Sequence, residues 1–500
     1  MYTLLPWHES VSLATVFATA IAVFIIYIVA GAVYALNLHP LAGFPGPFST
    51  AVSRIPFWIA CISGTQVTWM QELHSRYGPL VRYSPDDLSF ADRDGSAWKA
   101  IHGHEKGGRE FPKAREWFVK PANDIYGINS APAHDDHRRY RRVFAPAFSD
   151  RALKQQEPLF RKYIDILMSK LSETGTKGET VDLVKMFQFT TFDIMGELTF
   201  GEPLGLLNKN KYSQWVESVF QSIRVIPIAQ LIQYYPPVNT IFNYLEPKSI
   251  QDMKYNHFKH SSDRVDRRLE KGSEKPDIWN LVLSAKEDLQ FSLEEMYCHA
   301  DVFMLAGTET TGTAMAGLTY FLLMNPQKMA LLTREIRETF SSEAEITMES
   351  TAGVKYLTAC IQEALRLYPP VPVGVPRVVP DPGQTIAGEW VAGGTRVSVH
   401  HYSTYHSPSN FVDPNAFRPE RWLGDAKYKD DRREVVQPFA VGPRDCIGRN
   451  MAMHEMRLIL ALVYFKFDLE LSLESREWTS QKAFVLWDKK PLMCRLTAVN

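Results

Sequence analysis

The sequence predicts a mainly α fold of the α+β type, in which a helix-rich body carries small peripheral β-sheets and follows one transmembrane helix. Three observations support this prediction. Helical hydrophobic periodicity dominates the middle of the chain, strand-like stretches are short and scattered, and the N-terminal segment is almost wholly apolar. The repeated strand–helix alternation of a doubly wound fold is missing, and no glycine-rich dinucleotide fingerprint stands out.

Composition excludes several functional classes. Of the 500 residues, 45% are hydrophobic, and 55 basic residues nearly balance 56 acidic ones. This balance gives no support to a nucleic-acid partner. The five cysteines are irregularly spaced and form no CxxC pair, so neither a disulfide framework nor a zinc site is indicated.

The first 36 residues predict a membrane anchor. Residues 11–37 contain no charged side chain, and about 20 helical residues span a bilayer core. The preceding flank has no Lys or Arg, unlike a secretory signal peptide. The distribution of basic residues places the rest of the chain on the cytoplasmic side. The alternative is a buried helix of a soluble protein.

A Pro/Gly-rich hinge, residues 37–50, separates this anchor from a predicted catalytic domain at 51–500. Three prolines and two glycines between His39 and Pro47 oppose regular structure and indicate a stiff linker.

The body of the chain shows helical periodicity, for example over residues 157–168, and short strand-like stretches at 79–84, 384–391 and 395–399. The longest predicted helix begins with the capping-box spacing of Ser292 and Glu295 and stops before Pro326. It spans about 50 Å and should therefore cross the whole core.

The centre of this helix, residues 306–311, reads Ala-Gly-Thr-Glu-Thr-Thr. Glycine and threonine are poor residues for a helix interior, and threonine hydroxyls can bond to carbonyls one turn back. One interpretation is a simple kink. The other is functional: the small Ala306 and Gly307 leave space for something flat to approach.

Residues 439–448, Phe-Ala-Val-Gly-Pro-Arg-Asp-Cys-Ile-Gly, place Cys446 directly before a predicted helix over 449–463. We expect Gly442 and Gly448 to allow a tight turn and a close approach to a flat cofactor. The helix N-terminus should lower the pKa of the thiol, and Arg444 should pair with an anionic group. The alternative is a free buried cysteine before a helix.

The pattern of Phe439, Gly442, Arg444, Cys446 and Gly448 resembles the haem-binding loop of the cytochrome P-450 family. Five fixed positions arise by chance in roughly one chain of this length in ten thousand. The resemblance implies that Cys446 is the axial thiolate ligand of a haem iron, in haem b. It also implies that Phe439, Arg444 and Gly448 belong to the cofactor site.

The helix centre matches the family motif Ala/Gly-Gly-x-Asp/Glu-Thr-Thr at every position. This resemblance implies a path that delivers two protons to dioxygen. In it, Thr310 hydrogen-bonds the distal oxygen and Glu309 links Thr310 to water.

Glu363 and Arg366 are three residues apart on an amphipathic helix, a spacing that carries little information alone. Together with Arg421 in the segment 417–422, they resemble the buried triad that the family holds behind the haem. We interpret these three residues as structural supports of the Cys446 loop.

The basic segment from His137 to Arg142 is either a solvated helix face or part of the cofactor site. The resemblance implies that Arg141 and Arg377 pair with haem propionates. His137 stands where the family commonly has Trp and can still donate a hydrogen bond to a propionate. The remaining arginines are expected to dock an acidic electron-donor protein.

Family geometry also implies the substrate contacts, which are mainly apolar. They are residues 111–131, the helix face around Phe303 and Ala306, residues 371–376 and residues 483–486. The expected substrate is a small-to-medium hydrophobic molecule, such as a polyketide or terpenoid, that arrives from the membrane.

The resemblance therefore implies a haem-thiolate monooxygenase similar to fungal microsomal members of secondary metabolism. It would hydroxylate or epoxidise its substrate with O2 and electrons from an NADPH-cytochrome reductase. The expected location is the endoplasmic reticulum membrane, single-pass, with a cytoplasmic catalytic domain. Two alternatives are a haem-thiolate isomerase or dehydratase that needs no external electrons, and a non-catalytic membrane haem-binding protein.

Overall fold

The computed structural model of the chain describes residues 12–103, 110–118, 123–271 and 277–499. Helices account for most of it. They are α1 Leu13–Asn37, α2 Phe48–Val52, α3 Ile55–Ser63, α4 Gln66–Tyr77, α5 Ser96–His102, α6 His134–Phe144, α7 Asp150–Thr176, α8 Leu183–Phe200, α9 Leu206–Lys209, α10 Gln214–Tyr234, α11 Pro236–Leu245, α12 Lys248–Glu270, α13 Ile278–Leu283, α14 Leu293–Leu323, α15 Pro326–Thr339, α16 Lys355–Leu367, α17 His401–Tyr405 and α18 Arg449–Lys466.

The strands form small separate sheets. They are β1 Leu80–Ser84, β2 Asp87–Phe90, β3 Thr180–Asp182, β4 Arg377–Val378, β5 Gly383–Ile386, β6 Glu389–Ala392, β7 Arg396–Val399, β8 Phe467–Leu471, β9 Lys482–Phe484, β10 Leu486–Asp488 and β11 Met493–Ala498. A four-stranded sheet has the order β1-β2-β7-β4, with β2 and β7 parallel. A three-stranded sheet has the order β3-β11-β8, and β5–β6 and β9–β10 are hairpins.

The predicted helix-rich fold with small sheets is confirmed. The segment 157–168 lies within α7, and the stretches at 79–84 and 395–399 are β1 and β7. The stretch at 384–391 is a hairpin, not one strand, because Ala387 and Gly388 adopt positive φ values of 49° and 87° and reverse the chain.

Helix α1 is long and apolar enough to cross a membrane, and its apolar window has no part buried against the protein. The first 11 residues of the predicted anchor lie outside the described residues. Residues 38–47 of the predicted hinge form no regular element, whereas its last three residues already belong to α2.

The buried side chain of Arg82 on β1 attaches the end of α1 to the body. Its guanidinium donates hydrogen bonds to the carbonyl oxygens of Ala35 at 2.8 Å, Leu41 at 3.2 Å and Pro85 at 2.9 Å. The donors of an arginine therefore replace the regular hydrogen bonds that the hinge lacks.

Helix α14 crosses the core as predicted, and its capping box is present. The Glu295 N–H donates to Ser292 Oγ at 3.2 Å, and the Ser292 N–H donates to Glu295 Oε2 at 2.9 Å. Most side chains in the second half of α14 are buried.

Helix α8 packs closely against α14 at Gly307. A Cβ at this position would lie 2.9 Å from Met195 Sδ, so a larger residue would have to displace the Met195 side chain. The expectation that Gly307 leaves space for a flat group stays a prediction. Ala306, the neighbouring small residue, is exposed.

Several histidines are buried in this core as neutral rings. Burial lowers the pKa of His74, His299 and His401 to about 4 in each case. The hydrogen bonds of His299 explain why its ring stays neutral. Nε2 accepts the Ile128 N–H at 3.1 Å, so the single ring proton is on Nδ1, which donates to the Glu295 carbonyl at 2.7 Å. A second proton on this ring would break the bond to Ile128.

We predict that the protein loses stability as the pH falls from 7 to 5. Below pH 6.5 these histidines bind protons in the unfolded chain but stay neutral in the folded state. The free energy of unfolding therefore falls by up to about 1.4 kcal/mol per pH unit for each histidine. The unfolding midpoint, followed by tryptophan fluorescence, should therefore drop. His299→Gln should flatten part of this dependence, and a midpoint that stays level or rises toward pH 5 would contradict the prediction.

Candidate functional site

The loop before α18 turns tightly and presents Cys446 at the start of that helix. The Cys446 N–H donates to the Phe439 carbonyl at 2.8 Å, and the Asp445 N–H donates to the Gly442 carbonyl at 3.1 Å. Gly442 has φ +82°, and a Cβ there would lie 1.9 Å from the carbonyl oxygen of His102. Only glycine therefore fits this turn. Gly448, with φ −85°, is the N-cap of α18 and needs no left-handed conformation.

Cys446 is exposed to solvent at the start of α18. Desolvation raises the pKa of the thiol, and the Gly448 N–H, Arg141 and Arg449 oppose this rise in part. The expectation of a lowered pKa is wrong for the polypeptide by itself, because desolvation outweighs the helix terminus. A metal that takes this sulfur as thiolate must displace its proton.

Four cationic side chains gather beside this loop, and two of them are paired. Arg444 forms an ion pair with Glu110 and donates to the Ala131 carbonyl at 2.6 Å. Arg141 on α6 forms an ion pair with Asp445 and donates to its carbonyl at 2.7 Å.

The other two cations, Arg377 and Lys113, have no carboxylate partner among the described residues. Nε of Arg377 is buried there without any hydrogen bond, and burial followed by repulsion from Arg444 lowers the pKa of Arg377 to about 10. Lys113 donates to the Asn129 carbonyl, and burial together with Arg377 and Arg444 holds its pKa well below the usual value.

The cluster thus fits a doubly anionic group. Among the described residues, four basic side chains of this cluster face two carboxylates, those of Glu110 and Asp445, and the two basic groups in excess can pair with the two propionates of haem. His137 lies nearby with a pKa lowered to about 3, by burial and then by the surrounding cations. As a neutral ring, it keeps one N–H to donate.

Sequence reasoning missed Lys113. The available signal was a lysine within the otherwise apolar run Phe111-Pro-Lys-Ala114. Its burial cannot be read from such a short pattern.

The structure brings Glu363, Arg366 and Arg421 together with completely buried side chains. Arg366 donates to Glu363 from Nε at 2.9 Å and from Nη2 at 2.8 Å, and Arg421 Nε donates to Glu363 at 3.0 Å. Burial would raise the pKa of Glu363, but Arg366 and Arg421 hold it below the usual value.

Two further members of this network were not predicted. Asp431 forms an ion pair with Arg421, and the Trp422 indole N–H donates to Glu363 at 3.0 Å. These contacts connect residues that are ten or more positions apart in the sequence, so a local sequence pattern does not predict them.

A short chain of hydrogen bonds links the network to the Cys446 loop. Arg366 donates to the Tyr405 carbonyl at 2.7 Å, and the Tyr405 hydroxyl accepts the Gln437 N–H at 2.8 Å. Gln437 precedes Phe439 by two residues, so the network positions the entry to the loop.

In the centre of α14, threonine hydroxyls bond to the helix itself. Oγ1 of Thr310 donates to the Ala306 carbonyl at 2.7 Å, and Oγ1 of Thr313 donates to the Glu309 carbonyl at 2.6 Å. Thr310 keeps its lone pairs available, and it is half-buried next to the exposed Ala306.

Glu309 points to a different side from Thr310, because successive helix residues are about 100° apart. Its Oε2 accepts the Gln188 side-chain N–H at 2.8 Å, and its Oε1 forms an ion pair with Lys489. The structure therefore does not bring Glu309 and Thr310 into contact with each other.

Some of the predicted substrate contacts are buried in the core, and others are half-buried. Phe303 is a core residue, not a pocket residue: its ring lies 4.7 Å from Phe144 and 5.8 Å from Phe148, centre to centre. Ala483 and Phe484 are buried as well, whereas Val371, Val375, Val485 and Leu486 are half-buried. Residues 119–122 of the predicted loop lie outside the described residues.

We predict that Glu363→Gln destabilises the protein by about 3–5 kcal/mol, since it leaves two buried arginines without their shared charge. Chemical unfolding monitored by circular dichroism would measure this loss. Glu338→Gln, at an exposed position on α15, makes the same chemical change and should have almost no effect. Equal effects of the two substitutions would contradict a stabilising role of the network.

Comparison with known proteins agrees with this geometry. Residues 52–495 match the family model described as Cytochrome P450. The chain is 44% identical to cytochrome P450 monooxygenase FUM2 of Gibberella moniliformis, over 93% of this chain and 99% of the relative. It is 42% identical to cytochrome P450 monooxygenase efuB of Hormonema carpetanum, over 97% and 96%. It is 38% identical to an averantin hydroxylase of Dothistroma septosporum, over 96% and 91%.

These relatives are fungal monooxygenases that span nearly the same length as this chain, and the isomerase and carrier alternatives find no support. A family model that covers most of the chain, together with the Cys446 loop and the cation cluster beside it, leads to one conclusion: this protein belongs to the cytochrome P450 family and is a haem-thiolate monooxygenase.

Proposed function

We propose that this monooxygenase hydroxylates or epoxidises a small hydrophobic molecule, a polyketide or terpenoid of fungal secondary metabolism, with haem b as cofactor. The balanced reaction is RH + O2 + NADPH + H⁺ → ROH + H2O + NADP⁺. The observation that carries this proposal is the pair of buried cations beside the exposed Cys446, Lys113 and Arg377, which have no carboxylate partner among the described residues.

In this proposal Cys446 would supply the thiolate ligand of the haem iron. Arg377 and Lys113 would bind the haem carboxylates, with His137, Arg141 and Arg444 around them, and Phe439 and Gly448 would shape the loop. Thiolate-bound haem iron supplies the activation of dioxygen. The protein contributes a rigid loop, a positively charged cradle and apolar walls that exclude water.

Thr310 is the proposed group that would hydrogen-bond to dioxygen. In the structure its hydroxyl proton is donated to the Ala306 carbonyl, so its oxygen can accept a hydrogen bond, and the hydroxyl would have to rotate away from Ala306 to donate one. Glu309 is the proposed source of protons further from the reacting oxygen.

The hydrophobic substrate class rests on half-buried side chains of the segments expected to contact substrate and on the relatives. Val371, Val375, Val485 and Leu486 offer apolar surface without charge. One relative is named for the hydroxylation of averantin, which supports hydroxylation as the reaction type.

A membrane location, proposed as the endoplasmic reticulum with the catalytic domain in the cytoplasm, rests on two apolar features. Helix α1 can span a bilayer. Helix α11 has no buried residue and exposes Ile241, Tyr244 and Leu245, which could contact the same lipid surface. A hydrophobic substrate would then enter from the membrane.

The proposed electron donor is an NADPH-cytochrome reductase that docks beside the Cys446 loop. Arg138, Arg142 and Arg449 are exposed there. Arg139, in contrast, forms an ion pair with Glu295 and donates to the Gln290 carbonyl, so it serves the fold.

We expect the dithionite-reduced carbon-monoxide complex to show the strongly red-shifted Soret band of thiolate-ligated haem. Cys446→Ala should remove this band and abolish turnover, because alanine offers no ligand. Cys61→Ala, at a buried cysteine of α3, is the control and should keep both. A red-shifted band in Cys446→Ala would overturn the assignment, and product formation without any reductase would overturn the monooxygenase reaction.

We also expect Arg138→Glu/Arg142→Glu to slow reductase-supported electron transfer about tenfold at low ionic strength, since like charges slow encounter. Stopped-flow reduction of the haem measures this rate. The difference should shrink as salt is added. Lys248→Glu/Lys271→Glu, at two exposed lysines at the ends of α12, is the charge-matched control. Equal slowing by the control would contradict a docking role for α6.

A further inference from the structure

A buried ion pair joins the centre of α14 to the C-terminal hairpin. The side chains of Lys489 and Glu309 are 3% and 2% exposed. Such a pair is seldom worth more than an apolar contact of the same volume, because both charges must leave water. Stability alone therefore gives little reason for this pair.

The pair is part of a larger fixed arrangement. Gln188 on α8 donates to Glu309 at 2.8 Å and accepts from the Tyr212 hydroxyl at 2.5 Å. Both carboxylate oxygens of Glu309 therefore have partners. Gln188 itself is held where α8 packs on α14, since a Cβ at Gly312 would lie 3.4 Å from Gln188 Cγ.

Anchors on both sides of Lys489 fix its position. Two residues before it, the Trp487 indole N–H donates to the Pro369 carbonyl at 2.8 Å, and the ring stacks on Tyr368 at 4.6 Å. Three residues after it, the Leu492 N–H donates to Asp182 at 3.0 Å. The ammonium group is thus delivered to Glu309 by a rigid segment.

Lys489 is also the cation nearest to this carboxylate. The other titratable groups around Glu309 are Tyr212, before α10, and Tyr368, after α16. Burial raises the pKa of each, and the charge of Glu309 adds to the rise. Both tyrosines are therefore neutral near pH 7, and Lys489 alone balances the charge of Glu309 among the described residues.

We propose that Lys489 is a positioning residue for proton delivery: it holds Glu309 ionised and turned away from Thr310. A proton can pass from Glu309 toward Thr310 only when the carboxylate leaves Lys489 and Gln188. This inference rests on the proposed role of Glu309 and adds the residue that controls it.

Dioxygen itself is the probe, so the test needs no organic substrate. In the substrate-free holoenzyme with NADPH and a fungal NADPH-cytochrome reductase, O2 is reduced either to peroxide (O2 + 2e⁻ + 2H⁺ → H2O2) or to water (O2 + 4e⁻ + 4H⁺ → 2H2O). NADPH supplies the electrons. Poor proton delivery favours peroxide, so the measured quantity is the peroxide released per O2 consumed.

We expect Lys489→Met to lower this ratio at least about twofold at neutral pH, because the carboxyl group of Glu309 is then no longer held away from Thr310. Lys489→Arg should restore the wild-type ratio. Lys490→Met changes an exposed neighbour and should leave the ratio unchanged.

A double-mutant cycle separates this role from a structural one. If Lys489 acts through Glu309, Lys489→Met should have no further effect on the ratio in a Glu309→Gln background. Additive effects of the two substitutions would overturn the proposal.

Infrared spectroscopy gives a readout independent of turnover. Lys489→Met should show an added absorption of a protonated carboxyl group, which the double variant with Glu309→Gln should lack. An unchanged spectrum would overturn the proposal. A missing thiolate-type carbon-monoxide band in the wild type would instead contradict the monooxygenase function.

Discussion

The buried charge of Glu363 is the constraint on which the rest of the structure depends. Two arginines, an indole N–H and a backbone N–H converge on one carboxylate with no access to water. Arg366 lies on α16 together with Glu363, whereas the other three partners come from residues 418–422. Because an unpaired member would be a buried charge, these segments must stay together, and through Tyr405 and Gln437 they determine where the loop of Cys446 begins.

The opposite electrostatic situation exists beside that loop. Among the described residues, basic side chains here outnumber the carboxylates, and Arg377 keeps a buried Nε without a hydrogen-bond partner. In this part of the chain, charges are fully paired at Glu363 and lack carboxylate partners at Arg377 and Lys113, an arrangement that suits an anionic ligand. The same physical rule, that buried charges need partners, thus explains both the support and the binding site.

Helix α14 shows how one element serves structure and chemistry at once. Its Gly307 face packs against Met195 of α8. Its Glu309 face is joined to Lys489 and Gln188, and its Thr310 face remains accessible beside Ala306. In the proposed proton path Glu309 must therefore move, and the partners that restrain this movement lie on other elements.

The sequence by itself determined the class of fold, the start of α14 at its capping box and the turn at Gly442. It also determined that Cys446 is the candidate ligand among the five cysteines. These features depend on local backbone geometry or on a fixed spacing, which a linear pattern preserves. The tertiary structure alone decided the burial of Lys113, the membership of Asp431 in the Glu363 network, the core position of Phe303 and the ion pair of Glu309 with Lys489. All four features depend on contacts between distant segments and on the desolvation of buried groups. The spacing of neighbouring residues encodes neither the contacts nor the desolvation.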